Sequence, residues 1–415
     1  MTAGNFDLTP TIAKYLDPQL VYEVLTQAFD LINDNSSRAD FANELADAIE
    51  NAGGDRPDTS AIEARAKAAN EALANPDDDV SRILDVMASA DEHLRNDRAT
   101  NGAYIREHAQ VEAESIDKLF VVAKAHFEVG KFEEVVKLVD QFRRISTNYS
   151  LFLSAAWAKL ASALLSQDNK GALEAINRVR DSIEHANLAT PSHTLEQRLW
   201  LMHWALFVVF QVEGGLDRAM DIFVNPVYGN PNPNMNAIET AAPWLLRYIV
   251  AASILTSYKN TRDIARYASQ ERYRVSDPLC QAYEALYWSV DLDAASAALL
   301  QVAQVAHIDY FLAPHAAALL AGFRKQFLGV VSTVYSQMPK SQLVDMLHLK
   351  KWEQVVELLG ENGELANGAV VAVSGDDEEV VQFTHQQATR KNLFEKVDKL
   401  SHRSDNAIAE LYKKL

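Results

Sequence analysis

Apolar residues recur at intervals of three and four along most of the chain, which is the spacing of one face of an α-helix. The densest run is RLWLMHWALFVVF, residues 198–210, in which only His203 interrupts the apolar residues that follow Arg198. A helix that is apolar on every side is a buried one. Because a membrane span needs about 20 apolar residues, we interpret this run as the central helix of a helical stack. We expect His203 to be a hydrogen-bonded core histidine and not a metal ligand.

Capping patterns predict where several helices begin. Three predicted starts share a cap residue followed by proline at the first helical position. They are Pro10 after Thr9, Pro18 after Asp17 and Pro278 after Asp277. Thr194 with Gln197 forms a capping-box pattern, which predicts the start of the central helix there. The first amphipathic helices are expected over residues 10–32.

Composition and pattern together predict a mainly α-helical chain of four domains. Residues 1–102 are N-terminal helices. They include an Ala-rich, acidic stretch over residues 33–100 with few large apolar residues, which we expect to form loosely packed helices with a flexible break near residues 53–57. Residues 103–327 are a helical-repeat solenoid. Residues 328–385 are a winged helix, and residues 386–415 are a long C-terminal bundle helix.

The solenoid prediction rests on a repeating alternation of long apolar helices and polar turns. The predicted turns begin at Val129, Gln167, Glu213, Tyr258 and Asp291. Spacings of roughly 30 to 46 residues are typical of helical-hairpin repeats. Each hairpin has an apolar face that it cannot bury alone, so hairpins stack, and we expect a right-handed solenoid. Five tryptophans fall in this stretch, where their bulk suits the interior: Trp157, Trp200, Trp204, Trp244 and Trp288.

Residues 224–236, VNPVYGNPNPNMN, interrupt this rhythm. The stretch is rich in proline and asparagine, which favour loops over helices. It is predicted to be a long surface loop between two hairpins, and a partner-binding loop is the functional alternative.

The predicted winged helix follows from three short helical patterns and two apolar runs. The helical patterns cover residues 328–338, 341–349 and 352–359, and GAVVAV and EEVVQF flank a turn as in a β-hairpin. The hairpin edge and the third helix are the expected protein-docking surfaces. Their candidate residues are Trp352, Val370, Val371, Val380 and Val381.

The last thirty residues follow a coiled-coil-like spacing, which Ser404 interrupts. Such a helix is too long to lie on a small winged helix alone, so it is expected to pack on helices of other chains, with a solvated tail as the alternative. The candidate seam residues are Leu393, Val397, Leu400, Ala407 and Leu411.

The chain of 415 residues carries a formal charge of −18, which argues against broad binding to nucleic acid or anionic membrane. Residues 340–385 contain three lysines, no arginine and nine acidic residues, so we expect this domain to meet protein and not DNA. Basic residues prevail in residues 386–415, where a weak RNA contact is the alternative to a solvated face. The N-terminus lacks a secretory signal pattern, which favours a cytoplasmic protein.

No pattern of catalytic chemistry stands out. The sequence lacks a P-loop, a G-x-G-x-x-G, a G-x-S-x-G and an H-E-x-x-H motif. Cys280 is the single cysteine and is expected to be a buried, inert thiol. We therefore predict no catalytic residues, no cofactor and no metal site.

The predicted architecture resembles that of PCI-domain proteins, and one family within them is matched more closely. FDLTPTIAKYLDPQLVYEVL, residues 6–25, resembles the opening of the e-type subunits of eukaryotic translation initiation factor 3. Residues 197–210, 155–165, 236–252 and 399–415 are similar to that family as well, in the same order. The match is weakest over residues 33–100.

The resemblance implies a non-catalytic scaffold in the core of that factor. Subunits of this kind join neighbours edge to edge through their winged helices, and their C-terminal helices enter a shared bundle. Implied partners are the subunits c, d and l, with the small ribosomal subunit reached through the assembly and formation of the 43S pre-initiation complex supported. The alternative is a PCI scaffold subunit of the proteasome lid or the signalosome.

Overall fold

A computed structural model describes most of the central part of the chain. The described residues are 8, 11, 12, 14–16, 20, 59–74, 77–89, 97–185, 190–224, 233–359, 369–373 and 380–385. The predicted break near residues 53–57 and the C-terminal helix with its seam residues Leu393, Val397, Leu400, Ala407 and Leu411 lie outside them.

The described chain is mainly helical. In chain order its α-helices are α1 Thr59–Ala74, α2 Asp78–Ser89, α3 Arg98–Ala109, α4 Ala113–Glu128, α5 Phe132–Ile145, α6 Phe152–Leu165, α7 Asn169–His185, α8 Pro191–Phe210, α9 Gly215–Phe223, α10 Pro233–Ala241, α11 Leu246–Leu255, α12 Thr261–Gln270, α13 Pro278–Glu284, α14 Leu292–Ile308, α15 Ala316–Val334, α16 Lys340–Met346 and α17 Trp352–Leu359. Its strands are β1 Gln337–Pro339, β2 Ala369–Val373 and β3 Val380–His385.

The first compact unit comprises Met1–Ala252 and His307–Pro314. Each helix from α4 to α9 packs on the next one, so the unit is built from stacked helical hairpins. Gly130 and Gly214 lie in two of the predicted turns, at φ +84° and +79°, which favour glycine. All five predicted turns fall between helices, three in this unit and those at Tyr258 and Asp291 in the second unit, which confirms the predicted alternation of helices and turns.

The spacing of apolar residues explains which helix faces are buried. On α5 the buried residues include Val135, Leu138, Val139 and Phe142, which share one helical face. Acidic residues open this helix and arginines close it, in the orientation that the helix dipole favours.

Helix α2 contributes Val80, Ile83 and Met87 to the same hydrophobic core as α5. The expectation of loose packing in residues 33–100 is therefore wrong for this helix. Three well-spaced apolar residues suffice to bury one face of a short helix even where the surrounding composition is polar.

A buried ion pair joins the segment His307–Pro314 to the rest of the first unit. Arg247 Nη1 lies 3.0 Å from Asp309 Oδ2, and the Tyr248 hydroxyl donates to the same oxygen at 2.8 Å. The backbone N–H groups of Phe311 and Leu312 donate to the other oxygen. Burial raises the pKa of the Asp309 carboxyl, while these donors act in the opposite direction. The carboxyl is thus fully enclosed and surrounded by donors.

The second compact unit comprises Ser253–Ala306 and His315–Leu415. Asp277 caps α13, accepting from the backbone N–H groups of Leu279 and Cys280, with Pro278 at the first helical position as predicted. Cys280 is buried, as predicted. A π-helical turn, Ala285–Ser289, follows α13.

The C-terminal part of this unit runs helix, strand, helix, helix, then a two-stranded hairpin. The three strands form an antiparallel sheet in the order β1-β3-β2. The predicted hairpin is confirmed. The strand β1 was not predicted, and the first predicted helix of this region begins earlier, at Ala316.

Three local predictions are corrected by the structure. The central helix α8 begins at Pro191 and is capped by Thr190, whose side chain accepts from His193 N–H at 3.3 Å, so the Thr194 capping box does not mark its start. The helix α10 begins at Pro233, inside the predicted loop over residues 224–236, because proline is compatible with a first turn.

The third correction concerns the tryptophans. Trp204 is buried, whereas Trp200 and Trp288 are 39% and 44% exposed. Trp200 projects from α8 although its neighbours in sequence are buried, so the helix is not enclosed on every side near its middle.

Among the described helices no single one is long and apolar enough to cross a membrane. The strongly bent pair Pro233–Ala241 and Pro243–Leu255 meets that test only when its two helices are taken together.

Candidate protein-docking edge

His203 occupies the centre of α8 and is fully buried. Its Nδ1 lies 2.6 Å from the carbonyl oxygen of Leu199, and its Nε2 accepts a hydrogen bond from the indole N–H of Trp244 at 3.2 Å. An indole nitrogen can only donate, so Nε2 carries no proton and Nδ1–H donates to the carbonyl. Burial lowers the pKa of His203 to about 3. The predicted hydrogen-bonded core histidine is confirmed.

Aromatic packing encloses this imidazole. The ring of Tyr15 stacks on it with the centroids 4.0 Å apart, and the backbone carbonyl of Tyr15 accepts from Trp204 Nε1 at 3.0 Å. Both ring nitrogens of His203 are therefore satisfied within the chain, and the ring faces other side chains. These contacts hold Tyr15 against the central helix.

Within the described ranges, no group of three or more His, Cys, Asp or Glu side chains is arranged to hold a metal ion. Among the described ionisable groups whose pKa values are shifted, Asp309, His203 and Tyr283 are buried and Tyr287 is partly buried within the helical units. Burial raises the pKa values of both tyrosines, and the Tyr283 hydroxyl shares a 2.7 Å hydrogen bond with Ser253.

The sheet of the second unit has an edge strand, β2, that pairs with β3 on one side. In the described part of the chain no strand pairs with its other side. Its sequence, AVVAV, is apolar and uncharged, and three of its five residues are β-branched valines. An edge with these properties is a template for strand addition by another chain, since it lacks the charges and prolines that usually protect edges.

The register identifies which backbone groups of β2 face outward. The N–H of Phe383 in β3 donates to Ser336 at 2.9 Å, so the backbone groups of Phe383 point towards β1. Val371 is the partner of Phe383 in β2. Because paired residues in an antiparallel ladder alternate between bonded and non-bonded pairs, the N–H and C=O of Val371 point away from β3. Ala369 and Val373, two residues on either side, do the same.

A compact core supports this edge. Met338, Val381 and Phe383 of the sheet are buried, as are Leu343 and Val355 of α16 and α17. Of the predicted docking residues, Val381 is fully buried and its side chain is not available to a partner, while Val380 is partly buried. Val370 and Val371 lie on the edge strand itself.

The third helix of this region presents a partly open face. Trp352 at the start of α17 is partly buried, with the ammonium of Lys340 5.7 Å from its ring centroid. Val356, one turn later, is 46% exposed. The sequence singled out Trp352 but not Val356. Val355 and Val356 are adjacent and identical in type, and only the burial of Val355 in the structure shows that Val356 is the one that faces outward.

The docking edge is defined here as the backbone of Ala369–Val373, and Trp352 and Val356 on α17 form a second candidate docking surface. Sequence analysis identified the hairpin but not the outward N–H groups, because their direction depends on the unpredicted strand β1. The signal that the sequence offered for an open edge was the uncharged run of five apolar residues, Ala369–Val373.

Comparison with known proteins gives a consistent set of relatives. The chain is 27% identical to the E subunit of eukaryotic translation initiation factor 3 from Schizosaccharomyces pombe, over 94% of this chain and 83% of that protein. It is 30% identical to the proteins of the same name from Aspergillus niger, over 78% of this chain and 75% of that protein, and from Arabidopsis thaliana, over 74% and 72%. A comparison with models of protein families finds no match.

Proposed function

The chain belongs to the family of the E subunit of eukaryotic translation initiation factor 3, and on this premise we propose that it is a non-catalytic scaffold subunit of that factor in the cytoplasm. It assembles with other subunits, c, d and l among them, and supports formation of the 43S pre-initiation complex on the small ribosomal subunit. Its contribution is shape and docking surface, and no chemical step is assigned to it.

The proposed domain organisation follows the same division as the sequence patterns. Residues 1–102 precede a right-handed solenoid over 103–327, a winged helix of the PCI type spans 328–385, and residues 386–415 form a bundle helix. The order helix, strand, helix, helix, hairpin supports the winged helix. In this scheme, the seam from Leu393 to Leu411 packs on helices of neighbouring subunits.

The observation that carries the docking proposal is the open edge of β2. Main-chain hydrogen bonds give strand addition its affinity, and they need outward N–H and C=O groups on a supported strand. Ala369, Val371 and Val373 offer these groups, and the buried residues of β1 and β3 hold the strand in place. A strand or hairpin of a neighbouring subunit would extend the sheet there.

The test is a proline substitution that removes one outward donor. Val371→Pro deletes the N–H that faces away from β3 and leaves the hydrogen bonds between β2 and β3 intact, because proline is tolerated on the open side of an edge strand. Val371→Thr keeps the N–H and the β-branched side chain and is the matched control. Both variants are expressed as the full chain with an affinity tag in the native source, and the recovered subunits are quantified.

We expect Val371→Pro to recover less of its neighbouring subunits than the wild type, and Val371→Thr to recover as much. Hydrogen exchange at β3 reports whether the hairpin itself remains formed. Full recovery of partners by Val371→Pro, with β3 still protected, would contradict docking through this edge.

A further inference from the structure

An arginine-lined cleft lies in the first unit, remote in sequence from the docking edge. It has a volume of about 300 Å³ and is lined by residues of α3, α5, α6 and α7. Three of the lining side chains are guanidinium groups, those of Arg98, Arg143 and Arg178. Arginine clusters of this kind are the usual means by which proteins bind phosphate and carboxylate groups, because each guanidinium presents a planar fork of donors.

Arg143 is the central member of this cluster. Its Nη1 is buried and has no hydrogen-bond partner in the described part of the chain. Burial lowers its pKa, and the positive charges of Arg178 and Arg98 lower it further, while Asp140 opposes them. A buried donor without an acceptor is costly, and more so beside like charges. An anion in the cleft would relieve both costs.

Nearby carboxylates pair with Arg178 but leave the rest of the cluster in excess. Asp140 accepts from the buried ammonium of Lys159 at 2.7 Å and from Arg178 Nη1 at 3.1 Å, so it is shared between two cations. Arg178 Nη2 also lies 3.4 Å from the exposed carboxylate of Glu174. Asp181 is the acidic residue among those that line the cleft, and it lies 3.9 Å from Arg180 Nε. The lining therefore keeps an excess of positive charge.

Aromatic residues fix the geometry of one wall. The guanidinium carbon of Arg98 lies 4.7 Å from the ring centroid of Phe152. Tyr149 packs edge-on against the same ring, with the centroids 5.1 Å apart, and is 73% exposed. Such a cation–π contact preorganises Arg98, and the exposed Tyr149 ring offers apolar surface beside the charged floor.

We propose that this cleft binds the phosphate group of a phosphorylated serine or threonine side chain carried by another protein segment. A phosphate carries about −1.5 to −2 charges at neutral pH, which matches the excess charge of the lining better than a single carboxylate does. Its oxygens can accept from several forks at once. A nucleic-acid strand fits less well, because it needs a continuous basic groove and the chain as a whole carries −18.

The experiment uses the full chain and a capped alanine–glycine peptide with one central phosphoserine, titrated by calorimetry. We expect the phosphopeptide to bind and the unphosphorylated peptide not to bind. Arg143→Gln should weaken binding by at least about tenfold, the loss typical of a charge-assisted hydrogen bond. Arg218→Gln removes an exposed arginine on α9 that lies away from the cleft and should leave binding unchanged.

Two further variants keep the test decisive if Arg143→Gln unfolds. Arg98→Gln should also weaken phosphopeptide binding, whereas Asp181→Asn should strengthen it by removing the opposing charge. Equal effects of Arg98→Gln and Arg218→Gln would overturn the site. Equal affinity for inorganic phosphate, or tighter Arg98-dependent binding of single-stranded oligouridylate, would overturn its assignment to a phosphorylated protein segment. The scaffold proposal is independent of every one of these outcomes.

Discussion

Acidification should destabilise this protein partly through one residue, His203. In the folded chain burial holds the pKa of this imidazole at about 3, whereas an unfolded chain restores the ordinary value of 6.5. Because the pKa of His203 is lower in the folded chain, the stability that the neutral imidazole contributes is fully present above pH 6.5 and is lost as the pH falls towards 3. The nearby charge of Lys14 acts in the same direction as burial.

The magnitude follows from the difference between the two states. A pH of 5 lies about 1.5 units below the ordinary pKa of histidine. At that pH the unfolded chain binds a proton at His203 and the folded chain does not. Each unit corresponds to about 1.4 kcal/mol, so His203 alone should remove about 2 kcal/mol of unfolding free energy between pH 7.5 and pH 5.

Urea unfolding at a series of pH values, followed by tryptophan fluorescence, measures this loss. The chain carries other ionisable groups, so the wild type is compared with His203→Gln, which has no ionisable group at this position. The pH-dependent loss in the wild type should exceed that of His203→Gln by about 2 kcal/mol. An identical pH dependence in the two proteins would refute the inference that the fold holds His203 neutral.

Two other pairs of substitutions, each a test with its control, probe the packing of the helical units. Arg247→Met leaves Asp309 buried without its guanidinium and should cost about 3 to 5 kcal/mol in urea unfolding, whereas Arg266→Met, which removes an exposed ion pair, should cost less than about 1 kcal/mol. Similar losses for the two variants would contradict the buried pair. Gly215→Ala places a methyl group 1.9 Å from a backbone oxygen of α8 and should lower the unfolding free energy by about 1 to 3 kcal/mol. A methyl group added at Gly329, in the helix α15, meets nothing within 4 Å, so Gly329→Ala should raise the unfolding free energy by about 0.5 to 1 kcal/mol. A loss of stability at Gly329 as large as that at Gly215 would show that the close approach to α8 is not the cause of the loss at Gly215.

Hydrophobic spacing was sufficient to predict the helical architecture and the central helix. The buried run around His203 and the five polar turns depend on local sequence, because each helix buries a face whose period is set by its own geometry. The start of the central helix was also within reach of a local rule. Thr190 is followed by Pro191, the same cap-and-proline pattern that predicts the start of α13, but the capping box at Thr194 was preferred to it.

Features that depend on distant residues were missed. The strand β1 is three residues long and contains Pro339, so nothing in its own sequence distinguishes it from a loop, and it forms because β3 lies beside it. The outward direction of the Val371 N–H follows from that pairing. The arginine cleft likewise combines residues from four helices, and in sequence Arg98, Arg143 and Arg178 are ordinary surface arginines.

The scaffold role is tested by identifying the proteins that accompany this chain in its native source. The tagged full chain is purified at moderate salt, and its partners are identified by mass spectrometry beside a variant that lacks residues 386–415. We expect the full chain to recover other subunits of initiation factor 3 stoichiometrically, and the truncated chain to lose them although its helical units remain folded. Recovery of proteasome-lid or signalosome subunits, or of the chain alone, would contradict it.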